Sequence, residues 1–205
     1  WEATGEIRVV PYHAYIPRPR SRLGRMLLSL LLPIVLRKEI RDADLLKTNQ
    51  MLGSWAAVLS KLLFRKPLLV RCGVEMYRQA QLAGEGRFSL LLRWVASKIA
   101  YRFANKILLT SSSMADFVTS VFDVSRQKII VWSNYIAVDL FRPMETEKRD
   151  GVLFVGRLDW KKNLFNLLAA ISGTPYVLDI VGGGYQEDEV REYIEREGIA
   201  ANLLG

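Results

Sequence analysis

The chain has 205 residues, half of them hydrophobic, which is enough for one large cored domain or two modest ones. A single cysteine, Cys72, excludes an internal disulfide framework and fits a reducing compartment, and a single histidine, His13, argues against a His-rich metal site. Lys and Arg outnumber Asp and Glu 29 to 21, but the excess is uneven: residues 1–148 carry 23 against 12 and residues 149–205 carry 6 against 9. The first part is therefore expected to meet an anionic surface or substrate, the plainer reading being a solvated basic face. No aromatic platform, zinc spacing or recognition motif accompanies the charge, so nucleic acid is not an expected partner.

In chain order, Glu6 to Val10 is a short strand candidate, followed by an unusual segment, Arg18 to Arg41. Arginines at 18, 20, 22 and 25 precede the apolar run Met26 to Leu36, and Arg37, Lys38 and Arg41 follow it. The run is too short to span a bilayer and is interrupted by Pro33. Two readings stay open for it: a segment lying on an anionic membrane surface, or a core helix packed on a sheet. The chain begins at Trp1 and stops at Gly205 just after an apolar pair, so it reads as cut from a larger protein at both ends.

From Asp44 onward the rhythm is regular. Strands are predicted at Leu45 to Lys47, Leu68 to Val70, Lys106 to Leu109, Ile129 to Val131, Val152 to Val155 and Val177 to Val181. Helical faces fall between them: Leu52, Trp55, Ala56, Leu59 and Leu63; Phe88, Leu91, Leu92, Val95 and Ile99; Met114, Phe117, Val118 and Val121. Ser113 with Asp116 forms a capping-box pattern for the third of these. Short apolar strands alternating with amphipathic helices imply an α/β fold of doubly wound parallel sheets. The polar, charged stretch Arg142 to Asp150 predicts a domain boundary, giving domains of 1–148 and 149–205.

The most informative stretch is Val152 to Lys162, VLFVGRLDWKK. An apolar strand ends in Gly156, Arg157 follows at once, Lys161 and Lys162 come a few positions on, and Leu164, Leu167, Leu168 and Ile171 then mark a helix face. Strand–glycine turn–helix units sit at the carboxyl edge of parallel sheets, where ligands bind and helix N-termini favour anions. Arg157 and Lys162 would flank such an anion. The glycine run Gly182 to Gly184 ends a later strand ahead of an acidic first helical turn, Glu187 to Glu189, whose plainer role is capping.

NYIAVDLFRP (Asn134 to Pro143), VLFVGRLDWKKN (Val152 to Asn163) and LDIVGGG (Leu178 to Gly184) together resemble the retaining nucleotide-sugar glycosyltransferases of the GT-B fold, family four. Upstream, ADLLKTNQ (Ala43 to Gln50), KPLLVRCGVE (Lys66 to Glu75) and NKILLTSS (Asn105 to Ser112) resemble the second half of that family's acceptor domain. The resemblance implies two Rossmann-like domains, both incomplete here, with an acceptor side up to residue 148 and the start of a donor-binding domain from 149. It implies that Arg157 and Lys162 hold the donor diphosphate and that Gly156, Gly182, Gly183 and Gly184 lie beside the donor. Two cations at the leaving oxygens would stabilise the developing charge and replace a metal, so no cofactor and no metal are expected.

Acceptor-side candidates are Asn49, Cys72, Gly73, Ser111 and Asn134, with Glu75 as a candidate catalytic group. Cys72 stands where many relatives carry a histidine, while Gly73 and Glu75 match; Ser133 replaces the proline of the family's Pro-Asn turn. The plainer readings are a buried apolar thiol for Cys72, a turn residue for Asn49, and helix capping for Ser111 and Ser112. The glutamates that bind the donor sugar and ribose in the family lie beyond Gly205, so the chain alone is expected to be inactive. The activity expected of the whole is transfer of a hexose-type sugar, with retention, from a nucleotide-diphosphate sugar to a glycan or lipid-linked glycan. The expected location is cytoplasmic, peripheral on the inner membrane face through Arg18 to Arg41. A non-catalytic nucleotide-sugar or glycan-binding relative and a GT-B sugar epimerase stay open as alternatives. A nicotinamide dehydrogenase does not fit, because neither glycine turn has the G-x-G-x-x-G spacing.

Overall fold

A computed structural model describes residues 21–143 and 150–205. The chain divides into two compact units, one ending at Ala137 and the other beginning at Val138. The boundary expected after residue 148 falls within 144–149, and the strand expected at Glu6 to Val10 precedes residue 21, so both lie outside the described residues.

The first unit opens with helices α1 (Arg22–Val35) and α2 (Arg37–Asp42). It continues as β1 (Leu46–Thr48), α3 (Ser54–Phe64), β2 (Leu68–Cys72), α4 (Met76–Leu82), α5 (Arg87–Phe103), β3 (Lys106–Leu109), α6 (Ser112–Phe122) and β4 (Ile129–Val131). The four strands form one parallel sheet in the order β1-β2-β3-β4. Alternation sets its faces. Leu68, Val70 and Cys72 are buried, with Ile107, Leu109 and Ile129 in register beside them, and the core adds Met51, Val58, Tyr101, Val118 and Phe122. The Phe122 ring meets Tyr101 edge-on at 5.2 Å and Tyr77 at 6.0 Å.

Three local expectations are corrected. The Phe88, Leu91, Leu92, Val95 and Ile99 stripe of α5 faces outward, with Phe88 at 74 % and Leu91 at 56 % exposure; the buried side of α5 is Ser97, Ala100 and Tyr101. The α6 cap is Ser111, whose Oγ accepts the Met114 N–H at 3.2 Å, which leaves Ser113 inside the helix and dissolves the Ser113–Asp116 box. Pro33 does not interrupt α1 but sits in its last turn, and the Leu36 N–H still reaches the Leu32 carbonyl at 2.9 Å. Ser21 starts that helix by accepting the Gly24 N–H, and the Trp55 indole donates to Ser29, tying α3 to α1.

The second unit contains β5 (Val152–Val155), α7 (Leu164–Ile171), β6 (Leu178–Val181), α8 (Glu187–Glu197) and β7 (Ala201–Leu203), with a parallel sheet in the order β5-β6-β7. Its core is Leu158, Leu164, Leu168, Leu178, Ile180 and Val190. The loops after β5 and β6 run side by side: the Gly156 N–H bonds the Val181 carbonyl and the Leu158 N–H bonds the Gly183 carbonyl, both at 3.0 Å. A Cβ on Gly182 would meet the Gly156 carbonyl oxygen at 2.1 Å, and one on Gly184 the Leu158 carbonyl oxygen at 2.2 Å. Two of the three glycines are therefore required by this backbone contact alone. A Cβ on Gly183 would meet only the end of the Glu187 side chain at 3.5 Å.

Gly182→Ala and Gly184→Ala should each lower stability by about 1–3 kcal/mol, the cost of forcing packed backbone apart. Gly183→Ala should stay within about 0.5 kcal/mol, and urea unfolding of the three variants checks the contrast.

Candidate functional site

In the first unit, parallel strands deliver Asn49, Arg71, Gly73, Thr110, Ser111 and Asn134 to the carboxyl edge of one sheet. Arg71 is the centre of the group. Its guanidinium donates to Asn49 Oδ1 at 3.0 Å and to Asn134 Oδ1 at 2.9 Å, joining the ends of β1, β2 and the segment after β4. Its backbone is fixed as well, because Thr48 Oγ1 accepts the Arg71 N–H at 3.1 Å. Asn49 and Asn134 are among the residues the sequence singles out; Arg71 is not. The signal that would have found it is a charged residue inside an otherwise buried apolar strand.

Cys72 and Glu75 have different surroundings. Cys72 is fully buried at the end of β2, and burial pushes its thiol up to about 11, with the Tyr101 hydroxyl easing and Glu75 reinforcing the shift. Tyr101 is raised too, first by burial and then by Cys72 and Glu75. Its hydroxyl makes no hydrogen bond of regular geometry among the described residues, so its contact with the thiol is a weak one. Glu75 is 0 % exposed; its carboxylate accepts the Arg78 N–H at 2.7 Å, capping α4, and the Ser97 hydroxyl at 2.5 Å. The carboxylate thus holds α4 and α5 together from inside the unit, and no part of it reaches solvent. Gly73 is half-buried beside the Gln50 side chain, its carbonyl accepting from Thr110 Oγ1 at 3.4 Å. Ser111 is occupied by capping α6 and by a 3.2 Å contact with the Ser113 hydroxyl.

In the second unit, the loop after β5 carries Gly156, Arg157, Asp159 and Lys162. Arg157 is 76 % exposed on its side chain and pairs with Asp159 at 3.1 Å. The other Asp159 oxygen accepts the Lys161 N–H at 3.1 Å, starting the tight turn Trp160–Lys162. That turn ends at Asn163, which takes a left-handed conformation with φ 54°, and α7 begins immediately after. The turn brings the Lys162 side chain back over Gly156, whose Cβ would lie 3.8 Å from Lys162 Cε. Gly156, Arg157 and Lys162 thus form one exposed basic cluster, with Lys162 in no ion pair among the described residues. Asp159 is the residue that the sequence signal missed. No group of three or more His, Cys, Asp or Glu stands together as a metal-ligand set among the described residues.

A family model, glycosyltransferase family 4, matches residues 2–140. The chain belongs to glycosyltransferase family 4. Among solved structures, this family 4 chain is similar to HepE of Anabaena, a structure in complex with UDP-glucose, at 18 % identity and a TM-score of 0.67 over 83 % of this chain and 51 % of that one. It is similar to sucrose-phosphate synthase of Thermosynechococcus elongatus at 17 % identity and a TM-score of 0.74, over 92 % and 51 % of the two chains. A third likeness is to the lipopolysaccharide outer core galactosyltransferase WaaB in its apo form, at 16 % identity and a TM-score of 0.63, over 91 % and 51 %. At these identities the likeness is one of fold, the GT-B arrangement of Rossmann-like parallel sheets. No curated protein matches the chain in sequence. The family 4 chain spans about half the length of these solved relatives.

With its thiol shifted to about 11 and buried, Cys72 stays protonated at pH 8. Alkylation by iodoacetamide at that pH should run at least ~100-fold slower in the folded protein than in urea, where the thiol returns to about 8.5. Mass spectrometry of time points checks this; equal rates would show Cys72 to be accessible.

Proposed function

We propose that this chain forms part of a glycosyltransferase that moves a sugar, with retention at the anomeric carbon, from a nucleotide-diphosphate sugar to a hydroxyl of a glycan or lipid-linked glycan. The observation that carries the reading is the exposed basic cluster of Arg157 and Lys162 on a glycine turn between β5 and α7. A sugar leaving from such a donor leaves behind a nucleoside diphosphate, whose charge grows as the bond breaks. Two cations at the leaving oxygens lower the energy of that state more than that of the intact donor. A guanidinium offers a planar fork to phosphate oxygens and an ammonium a mobile point charge, so the two divide positioning from neutralisation. No metal is required by this arrangement. HepE with UDP-glucose, and with UDP and glucose, supports a uridine nucleotide as the first ligand to try.

UDP titrated into the protein by calorimetry should bind. Arg157→Ala and Lys162→Ala should each weaken binding by about 10–100-fold, as expected for losing a charged hydrogen bond. Unchanged affinity in both variants would sink the donor assignment. A second reading, donor binding without transfer, draws on Cys72: a buried thiol stands where, by the family resemblance, many relatives carry a histidine. UDP-glucose binding with no release of UDP when acceptors are added to the complete protein would favour it.

The acceptor is proposed to be lipid-borne, at an anionic membrane surface on the cytoplasmic side. No described helix is long and apolar enough to cross a membrane. Helix α1 nevertheless leaves Leu27, Leu30, Leu31 and Ile34 exposed, and Arg25, Arg37, Lys38 and Arg41 lie along α1 and α2. Leucines entering the acyl boundary while cations meet anionic headgroups is the pattern of an interfacial helix. The outward stripe of α5 and an apolar groove of about 180 Å³ beside it, lined by Trp55, Val58, Leu92, Val95 and Ile99, extend the exposed apolar surface of the same unit. Flotation with vesicles containing phosphatidylserine should capture the protein at low salt. Arg25→Gln, Arg37→Gln and Lys38→Gln should reduce partitioning about fivefold per charge. Equal capture by neutral vesicles, or none, would remove the membrane from this proposal.

A further inference from the structure

Arg71 is more elaborately held than a surface arginine needs to be. Its guanidinium is anchored by side-chain carbonyl oxygens from Asn49 and Asn134 and its backbone by Thr48; Thr48 and Asn49 stand at the end of β1 and Asn134 follows β4. Both guanidinium partners are amides. Among the described residues no carboxylate pairs with Arg71, so its positive charge is oriented without being neutralised. A tie between two loops alone would not need a charge; an amide side chain could bridge the same groups. Its contacts with the two asparagines are exposed, so an incoming anion can reach the oriented charge and supply the partner that the chain does not.

The donor inventory points the same way. Two guanidinium N–H groups are engaged, one on each terminal nitrogen, and the remaining ones are unengaged among the described residues. Asn49 and Asn134 spend their oxygens on Arg71, so what their amides have left to offer is N–H. The cluster is thus a set of donors around one fixed cation, at the carboxyl edge of a parallel sheet where ligands bind. An oxyanion complements it best, because it accepts from several donors and also balances the charge, whereas a neutral hydroxyl can accept from these groups but leaves the charge unbalanced.

We propose that Arg71, oriented by Asn49 and Asn134, is an oxyanion-binding residue that receives a phosphoryl or carboxyl group of the acceptor. This rests on the glycosyltransferase reading for the word acceptor only. It deepens that reading by making the acceptor an anionic molecule and by placing its charged group on the first unit. Arg71 is then a specificity and positioning residue: the acceptor's anion is clamped there while its hydroxyl is presented elsewhere.

The test is a titration of the 15N-labelled chain at low salt with methyl phosphate and, separately, acetate, read at the Arg71 Nε–Hε cross-peak so that binding at other cations is not counted. A saturable shift is expected, with the tighter of the two probes identifying the phosphoryl or the carboxyl source. Global affinity from the backbone peaks of Asn49 and Asn134 should fall at least about tenfold in Arg71→Gln and less in Arg71→Lys, which keeps the charge but loses the fork. Asn49→Ala with Asn134→Ala should weaken binding about threefold to tenfold with the cation retained, and this variant decides the matter if Arg71→Gln fails to fold. No saturable shift in the unsubstituted chain, or equal affinity in the double asparagine variant and in any folded Arg71→Gln, overturns the proposal. UDP affinity, measured in parallel, should be unaffected by Arg71→Gln; a chain that binds methyl phosphate at Arg71 but no UDP would leave the oxyanion site standing and sink the donor reading.

Discussion

The parallel direction of the strands is the constraint on which the rest of the molecule depends. Because β1 to β4 all run the same way, four separate loops are delivered to one sheet edge, and residues far apart in the chain meet there. Register then decides which side chains arrive. In β2, Val70 and Cys72 are buried on one face, so the residue between them, Arg71, is turned to the other. A slip of one position would bury the guanidinium and expose the thiol. The apolar core and the arginine cluster are therefore fixed by the same alternation, and neither can be altered independently. The ladder also continues past the last strand: the Trp132 N–H bonds the Leu109 carbonyl at 2.8 Å, which carries the chain toward Asn134.

A second requirement, that buried polar atoms find partners, explains why α5 sits as it does. The Glu75 carboxylate is inside the unit and needs donors; the Arg78 backbone supplies one and Ser97 the other. Seating Ser97 against Glu75 turns Ala100 and Tyr101 inward and the bulky stripe from Phe88 to Ile99 outward. Periodicity in the sequence therefore found a genuine helix and a genuine apolar face while misassigning which side of the helix the sheet covers. Hydropathy marks a face as able to be buried. A small polar residue bonded to a buried acid overrode it here.

The strand–helix alternation was legible for the same reason that Gly156, Arg157 and Lys162 were: each is local, set by spacing within about one turn of chain. What escaped was non-local. Arg71 reaches Asn49 across 22 positions and Asn134 across 63, and no window of sequence contains that triangle. Gly182 and Gly184 drew notice as ligand contacts, yet their first role is to let one loop backbone pass against another, which becomes visible only when β5 and β6 are paired. The α6 cap shows the limit at short range. Three serines in a row, Ser111 to Ser113, all satisfy the composition of a cap, and only the backbone angles of Ser111, extended at φ −152° and ψ 158°, select the one that serves.

The two basic clusters differ in how their charge is held, and this bears on what each is suited to do. Arg157 spends part of its field on Asp159, which also shapes the turn that carries Lys162. The aspartate lowers the local potential of the guanidinium but fixes the loop, and Lys161 and Lys162 restore a net positive charge within the same few residues. Since residues 149–205 are acidic as a whole, attraction for an anion in that unit arises from this loop and falls off quickly away from it. Arg71 lies in a basic part of the chain and is oriented by neutral amides, so its field adds to that of its surroundings. Under the proposed donor role, the loop of the second unit suits close, geometrically defined contact with an anion. The arginine of the first unit is placed where charge can also draw an anionic molecule in from a distance, which is the more useful property for whichever ligand is larger and slower to orient.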